Sequence, residues 1–176
     1  MKNNKLLVIF LIVIGLWSCK EEPKSFEDSN EKTVSTFYFI RHAEKDRSFS
    51  DNKDPELTQE GLGRAMRWAE VFDYIPLDAI YTTDRERTSM TAAPTSIKKD
   101  ITVQFYEFNE VNMEQFKNDY LGQNVLIVGH SNTTPDFVNK MIGEEKYDGL
   151  DDYDNSTLFI VQIINNKITA IRLKID

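Results

Sequence analysis

Short apolar runs rich in β-branched residues alternate along this chain with longer stretches whose apolar residues recur every three or four positions. The runs are Val34 to Ile40, Leu77 to Tyr81, Ile101 to Phe105 and Val125 to Val128. Near-continuous apolar runs of that length fit strands buried on both faces. Between them, Thr58 reads as the N-cap of a helix with Leu62, Ala65, Met66, Ala69 and Phe72 on one face. Asp84 reads as the cap of a second helix, and Pro94 is expected to stop or kink it. Met113 to Tyr120 is helix-like. Thr134-Pro135-Asp136 reads as a capping hydroxyl, a proline at the first helical position and a first-turn acid. Phe137, Val138, Met141 and Ile142 form that helix's apolar face, and Gly143 ends it. Residues 43 to 56 and 144 to 155 read as polar loops. Leu158 to Ile164 and Ile168 to Ile175 flank Asn165-Asn166, a hairpin turn. The pattern predicts an α/β fold. It is a three-layer sandwich with a mostly parallel central sheet flanked by helices and an antiparallel edge hairpin at the C-terminal end. In such sheets ligands sit beyond the carboxyl ends of the strands.

The first residues follow a different rule. Lys2 and Lys5 precede eleven apolar residues, Leu6 to Leu16, then Trp17, Ser18 and Cys19. A basic start, a short apolar stretch and a small residue before the break make a secretory signal over residues 1–18. Eleven residues are too few to span a bilayer as a helix, which takes about 20. Leu16-Trp17-Ser18-Cys19 resembles a bacterial lipobox, with Trp17 where a small residue is usual. Cys19 is then the lipidated first residue of the mature chain and its link to a membrane. Cys19-Lys20-Glu21-Glu22 also resembles the tag that sends some Gram-negative lipoproteins to the outer surface, which gives a cell-envelope location. Residues 19–32 read as an acidic tether, and residues 33–176 as the domain.

Charge and residue scarcity narrow the chemistry. The chain carries 21 Lys and Arg against 29 Asp and Glu, a net −8; removing residues 1–18 takes away two lysines and no acid, leaving −10. That excess argues against nucleic-acid binding by bulk electrostatics. One Cys excludes an intrachain disulfide and any cysteine-cluster metal site. Only two His occur in 176 residues, and each lies two residues past a predicted strand: Ile40-Arg41-His42 and Val128-Gly129-His130. A lone histidine is as often a satisfied core or surface residue, but two at strand exits mark one mouth of the sheet. Arg41 adjoins His42, Arg85 and Arg87 open the helix after the second strand, and the Thr134 helix turns its positive end toward His130. Imidazoles, guanidiniums and a helix N-terminus together suit a phosphoryl dianion. Either Arg85 or Arg87 alone would also fit a solvated helix face.

Arg41-His42-Ala43-Glu44 resembles the R-H-G-E signature of the histidine phosphatase superfamily, the phosphoglycerate-mutase-like fold. Asp54 to Gly61 resembles its loop and L-T-x-x-G helix start. Tyr81-Thr82-Thr83 with Arg87 and Thr91-Ala92 resembles its Y-S-S-x-x-x-R-A-x-x-T-A block, and Val128-Gly129-His130-Ser131 its second-histidine motif. The four motifs occur in family order across about residues 34 to 142. The resemblance implies that His42 is a nucleophile forming a phosphohistidine. It implies that Arg41, Arg87 and His130 hold the phosphoryl oxygens, with the Ser131 main-chain N–H as a further donor. Register selects Arg87 over Arg85. Glu107 is the residue that best matches the family's general acid, with Glu110 and Glu44 as alternatives; the family's usual continuation after this acid is absent here. No cofactor and no metal are implied, and the expected partner is a small phosphorylated substrate bound by a monomer.

The chemistry agrees independently. The nucleophile must be neutral imidazole, and flanking cations disfavour its protonated form. Preoriented donors then stabilise the charge on the transferring phosphoryl group. A serine hydrolase is disfavoured, because no His follows Ser131 as that fold's order requires. Walker A, G-x-G-x-x-G and H-E-x-x-H motifs are absent. Two alternatives stay open: a tethered phosphate-ligand binding protein that has lost turnover, and a mutase-type phosphotransferase.

Overall fold

A computed structural model describes residues 33–175. The expected signal segment 1–18, tether 19–32 and lipidation site Cys19 lie outside the described residues. Among the described residues no helix is long and apolar enough to cross a membrane.

Six strands form one sheet: β1 (Val34–Arg41), β2 (Ala79–Thr82), β3 (Val103–Phe105), β4 (Asn124–Gly129), β5 (Thr157–Ile164) and β6 (Lys167–Lys174). Their order is β3-β2-β4-β1-β5-β6. The first four are mutually parallel, β5 runs antiparallel to β1, and β6 closes the hairpin at the edge. The helices are α1 (Gln59–Val71), α2 (Glu86–Lys99), α3 (Met113–Asp119) and α4 (Thr133–Ile142). The expected three-layer sandwich is therefore the observed one.

Strand alternation divides the core into two layers. Phe37, Phe39, Val125 and Ile127 pack with Phe137, Val138 and Met141 of α4, while Phe116 of α3 packs at their margin. Ile40, Leu126 and Val128 pack on the opposite face with Trp68, Phe72 and Ala92. Burying one such side chain contributes about 1.5–3 kcal/mol. The hairpin turn carries Asn165 at φ 50° and Asn166 at φ 63°, the pair of left-handed residues that a two-residue turn requires.

Four local expectations need correction. Leu62 and Met66 are not on the core face of α1, where Gly61, Ala65, Trp68 and Ala69 are buried instead. The apolar stripe is rotated toward the large indole, and Leu62 and Met66 face α2 at the surface. Helix α2 starts at Glu86 with Arg85 at the cap position, and Asp84 caps nothing. The cap comes from afar, since both Asp54 oxygens accept from the Glu86 N–H, at 3.2 and 3.3 Å. The helix also continues through Pro94 to Lys99, held by buried Thr91, Ala92 and Thr95; tertiary packing outweighs one missing hydrogen bond. Helix α4 starts two residues earlier than expected, with Asn132 as its cap and Pro135 third rather than first. Thr134 is spent inside the helix, its N–H donating to the His130 carbonyl at 3.0 Å.

Candidate active site

The parallel pairing of β1 with β4 sets Arg41 beside Gly129, so the two histidine loops leave the sheet together. The His42 N–H donates to the Gly129 carbonyl at 3.0 Å. The imidazoles meet edge to face with centroids 5.5 Å apart. Gly129 permits this crossing, because a Cβ there would lie 2.8 Å from Thr134 Oγ1 and 2.9 Å from the Tyr106 hydroxyl. Gly61 does the same for the first loop: a Cβ would lie 2.3 Å from the Glu44 carbonyl oxygen. The start of α1 thus seats directly on the backbone that follows His42, and the Thr58 hydroxyl caps it by accepting from the Gly61 N–H at 3.1 Å.

His42 is 2% exposed. Its Nδ1 lies 2.7 Å from the Ala43 carbonyl oxygen, which can only accept, so Nδ1 carries the proton and Nε2 the free lone pair. Burial holds the imidazole at a pKa of about 3; the Ala43 contact opposes this, and Arg41, His130 and Arg87 reinforce it. His130 is lowered to about 4, by burial first and then by Arg87, Arg85, Arg41 and Lys45. Both rings are neutral at pH 7.

The two arginines share one pattern. Arg41 is buried; its Nη1 donates to the carbonyls of Asp151 and Asp154 at 3.0 and 3.3 Å, and its Nη2 to Asp152 at 2.7 Å. Arg87 Nη1 donates to Asp54 at 3.1 Å, and Nη2 makes a long contact of 3.5 Å to His130 Nδ1. In each guanidinium the buried Nε–H has no protein partner. Loop acceptors therefore fix the outer side of each fork while one donor per arginine stays unpaired in a buried setting, which is costly unless an acceptor is supplied. A phosphoryl oxygen is such an acceptor, and the donor set fits one.

The other sequence candidates separate clearly. Glu107 lines a cavity of about 340 Å³ with His130, Thr83, Arg85, Phe108 and Asp136. Glu110 is exposed and does not line that cavity. Glu44 is committed elsewhere: its Oε1 accepts from Arg64 Nε at 2.6 Å, pinning α1 to the His42 loop. Ser131 is tied into the site by its carbonyl, which accepts from the Leu150 N–H at 2.8 Å. Arg85 is exposed and has no ion-pair partner among the described residues. Among the described residues no group of three His, Cys, Asp or Glu side chains could hold a metal ion.

Sequence reasoning missed four contributors. Thr83 Oγ1 lies 2.9 Å from His130 Nε2. Asp54 and Asp152 hold the arginines, and Asp152 also pairs with Arg47 at 2.6 Å; hydrogen bonding from Arg47 leads in pulling its carboxyl down to about 2. Asn155 donates to the His42 carbonyl at 2.7 Å. Thr83 and Asp54 stood inside quoted motifs, so their motif position was the available signal. Asp152 and Asn155 lie in an acidic loop with no periodicity to read.

Comparisons with known proteins bear on the family and the fold. Residues 37–120 match the family model described as histidine phosphatase superfamily, branch 1. No curated protein sequence matches. Several solved structures share the fold at low identity. The alpha-ribazole phosphatase from Shigella flexneri is 16% identical, with a TM-score of 0.63 over 80% of this chain and 96% of that one. The protein histidine phosphatase SixA complexed with tungstate is 11% identical, with a TM-score of 0.63 over 79% and 96%. A mycobacterial glucosyl-3-phosphoglycerate phosphatase is 13% identical, with a TM-score of 0.55 over 73% and 90%.

Proposed function

We propose, from the premise that the chain belongs to the histidine phosphatase superfamily, that it is a metal-independent phosphohydrolase working through a phosphohistidine on His42. The observation that carries this reading is His42 itself: a buried, neutral imidazole with Nδ1–H fixed on Ala43, within electrostatic reach of two arginines that each keep an unpaired buried Nε–H. The lone pair on His42 Nε2 attacks phosphorus, and the P–O bond to the leaving alcohol breaks. Arg41 and Arg87 stabilise the charge on the equatorial oxygens, with His130 and the Ser131 N–H as further donors. Glu107 protonates the leaving oxygen, then takes a proton from the water that attacks the phosphohistidine, and inorganic phosphate departs. His42 is regenerated neutral.

A screen of phosphomonoesters, sugar phosphates and phosphohistidine tests the reading, with acid quenching to trap the phosphoenzyme. Turnover with a trapped phosphohistidine is expected, and it is expected to survive EDTA. Tight binding of phosphorylated ligands without turnover would favour a binding protein. Transfer of the phosphoryl group to a second position of the same metabolite would favour a mutase.

The same proposal includes the anchor: Cys19 carries the acyl chains of an envelope lipoprotein and holds the domain at a Gram-negative membrane. One acyl chain binds only marginally, so stable anchoring needs several. Cys19→Ser is expected to move the protein from the membrane fraction to the soluble one, and mass spectrometry of an unmodified Cys19 would end this part of the proposal.

A further inference from the structure

The hydrogen bonds around His130 form a directed chain that begins at a loop carboxylate. A guanidinium only donates, so Arg87 Nη2, 3.5 Å from His130 Nδ1, requires Nδ1 to accept. The imidazole proton then sits on Nε2, which donates to Thr83 Oγ1 at 2.9 Å. Thr83 Oγ1 lies 3.1 Å from Thr88 Oγ1. The Thr88 hydroxyl lies 2.8 Å from the carbonyls of both Thr83 and Arg85, so it donates to backbone and accepts from Thr83. Every proton in this chain runs one way, and the order holds only while Arg87 faces His130.

One carboxylate anchors the head of the chain. Asp54 accepts from Arg87 Nη1 at 3.1 Å and from the Glu86 N–H that opens α2. It lies on the loop between β1 and α1, 33 residues before the arginine it holds. It is the sole ion-pair partner of Arg87 among the described residues.

We infer that Asp54 is a positioning residue: through its bond to Arg87 it fixes the guanidinium and holds His130 as the Nε2–H tautomer, whose proton rests on Thr83 Oγ1 until a phosphoryl oxygen competes for it. The functional part of this inference rests on the phosphohydrolase reading; the tautomer part does not. The ion pair itself is a modest bond, since Asp54 is partly exposed. Its consequence is geometric, because a donor aligned before the reaction stabilises the transition state without further reorganisation.

Two measurements on the full chain test this separately. The chain holds two histidines, so an imidazole ¹⁵N spectrum shows two rings, and His130→Gln assigns them. In the parent, His130 is expected to show the Nε2–H pattern. In Asp54→Ala it is expected to shift toward a mixture of tautomers, with His42 unchanged. Asp54→Asn keeps an oxygen for the Glu86 N–H and removes the charge that holds Arg87. If Asp54 only caps α2, Asn restores full activity, because Asn and Asp cap about equally well. If it positions Arg87, Asp54→Asn lowers kcat at least fivefold, moves the inhibition constant for inorganic phosphate less, and has no further effect in an Arg87→Lys background. An unchanged His130 spectrum in Asp54→Ala, or full activity in Asp54→Asn, overturns the inference. Absence of turnover in the parent overturns the phosphohydrolase reading instead and leaves the spectral test standing.

Discussion

The apolar groove between α1 and α2 and the mouth that holds the two histidines lie on different surfaces, and they are built from opposite materials. The groove between α1 and α2 encloses about 710 Å³ and is lined mainly by Leu62, Met66, Met90, Ala93, Pro94 and Ile97. The cavity beside His130 holds about 340 Å³ and is lined mostly by polar side chains. No side chain lining the groove carries a buried polar atom without a partner. At the mouth, two imidazoles are held neutral and two guanidiniums keep unpaired buried donors. Perturbed titration and unsatisfied polar atoms cost stability, so they mark the place where structure is committed to chemistry. Volume and electrostatics point to different faces.

The widest separation between the two regions should appear at His42. His42→Ala is expected to abolish turnover and the acid-trapped phosphoenzyme, whereas substitutions in the groove leave both intact. Full activity in His42→Ala would break the comparison. Next is the arginine pair. Arg87 reaches both Asp54 and His130, while Arg85 is exposed without an ion-pair partner. Arg87→Ala should cost about 3 kcal/mol or more of transition-state stabilisation, read from kcat/KM. Arg85→Ala should lie within a fewfold of the parent, and the opposite ranking would show that the donor is misassigned.

Glu107 sharpens the comparison within the polar cavity. A general acid matters most for a poor leaving group. Glu107→Gln is therefore expected to slow alkyl phosphates about 10²-fold and to spare nitrophenyl phosphate, whose phenolate leaves unaided. Equal slowing of both would make Glu107 a substrate-positioning group. Neutral His42 and His130 also leave a mark on stability. Their folded values, about 3 and about 4, lie below the ordinary 6.5. The unfolded chain takes up protons first as pH falls through 6.5, so stability drops toward the folded values. Between pH 7 and 5 the loss should be about 1–2 kcal/mol per histidine. Urea midpoints at the two pH values measure it, and His42→Asn should remove about half of the slope.

What could be read in advance divides along the same line. The strand exits at Arg41-His42 and Gly129-His130 were legible because a strand buried on both faces writes a continuous apolar run. Arg87 was separable from Arg85 by register. The hairpin at Asn165-Asn166 was legible because few residues take two left-handed positions in succession. Asp152 and Asn155 were not, because each acts across the fold on a residue 111 or 113 positions away, and a loop without periodicity carries no pattern naming its partner. Pro94 misled because a local rule met a helix held by its buried face. The α4 cap was misplaced because Thr133 and Thr134 are both good caps by type, and the structure uses neither. The Thr133 hydroxyl instead accepts from the His130 N–H at 3.3 Å.

The smallest expected effect tests the other half of the comparison. Leu62 is 36% exposed and Met66 is 57% exposed, although both fall on the apolar side of α1 by periodicity. Met66→Gln replaces one long flexible chain with another at a wet site, so it should change stability by no more than about 0.5 kcal/mol. It should leave kcat and KM unchanged, because Met66 is exposed and lines the groove rather than the cavity beside His130. Trp68→Ala, two positions along the same helix, removes a side chain that is 2% exposed and packed on Phe72 at 6.0 Å. Large-to-small changes of that kind cost about 3–5 kcal/mol. The two variants measured together by urea unfolding and by turnover separate surface from core on one helix. If Met66→Gln slowed turnover while leaving the unfolding midpoint in place, the groove would be coupled to the catalytic mouth through α1, whose first turn rests on the Glu44 backbone. The division into an inert cavity and a reactive one would then fail.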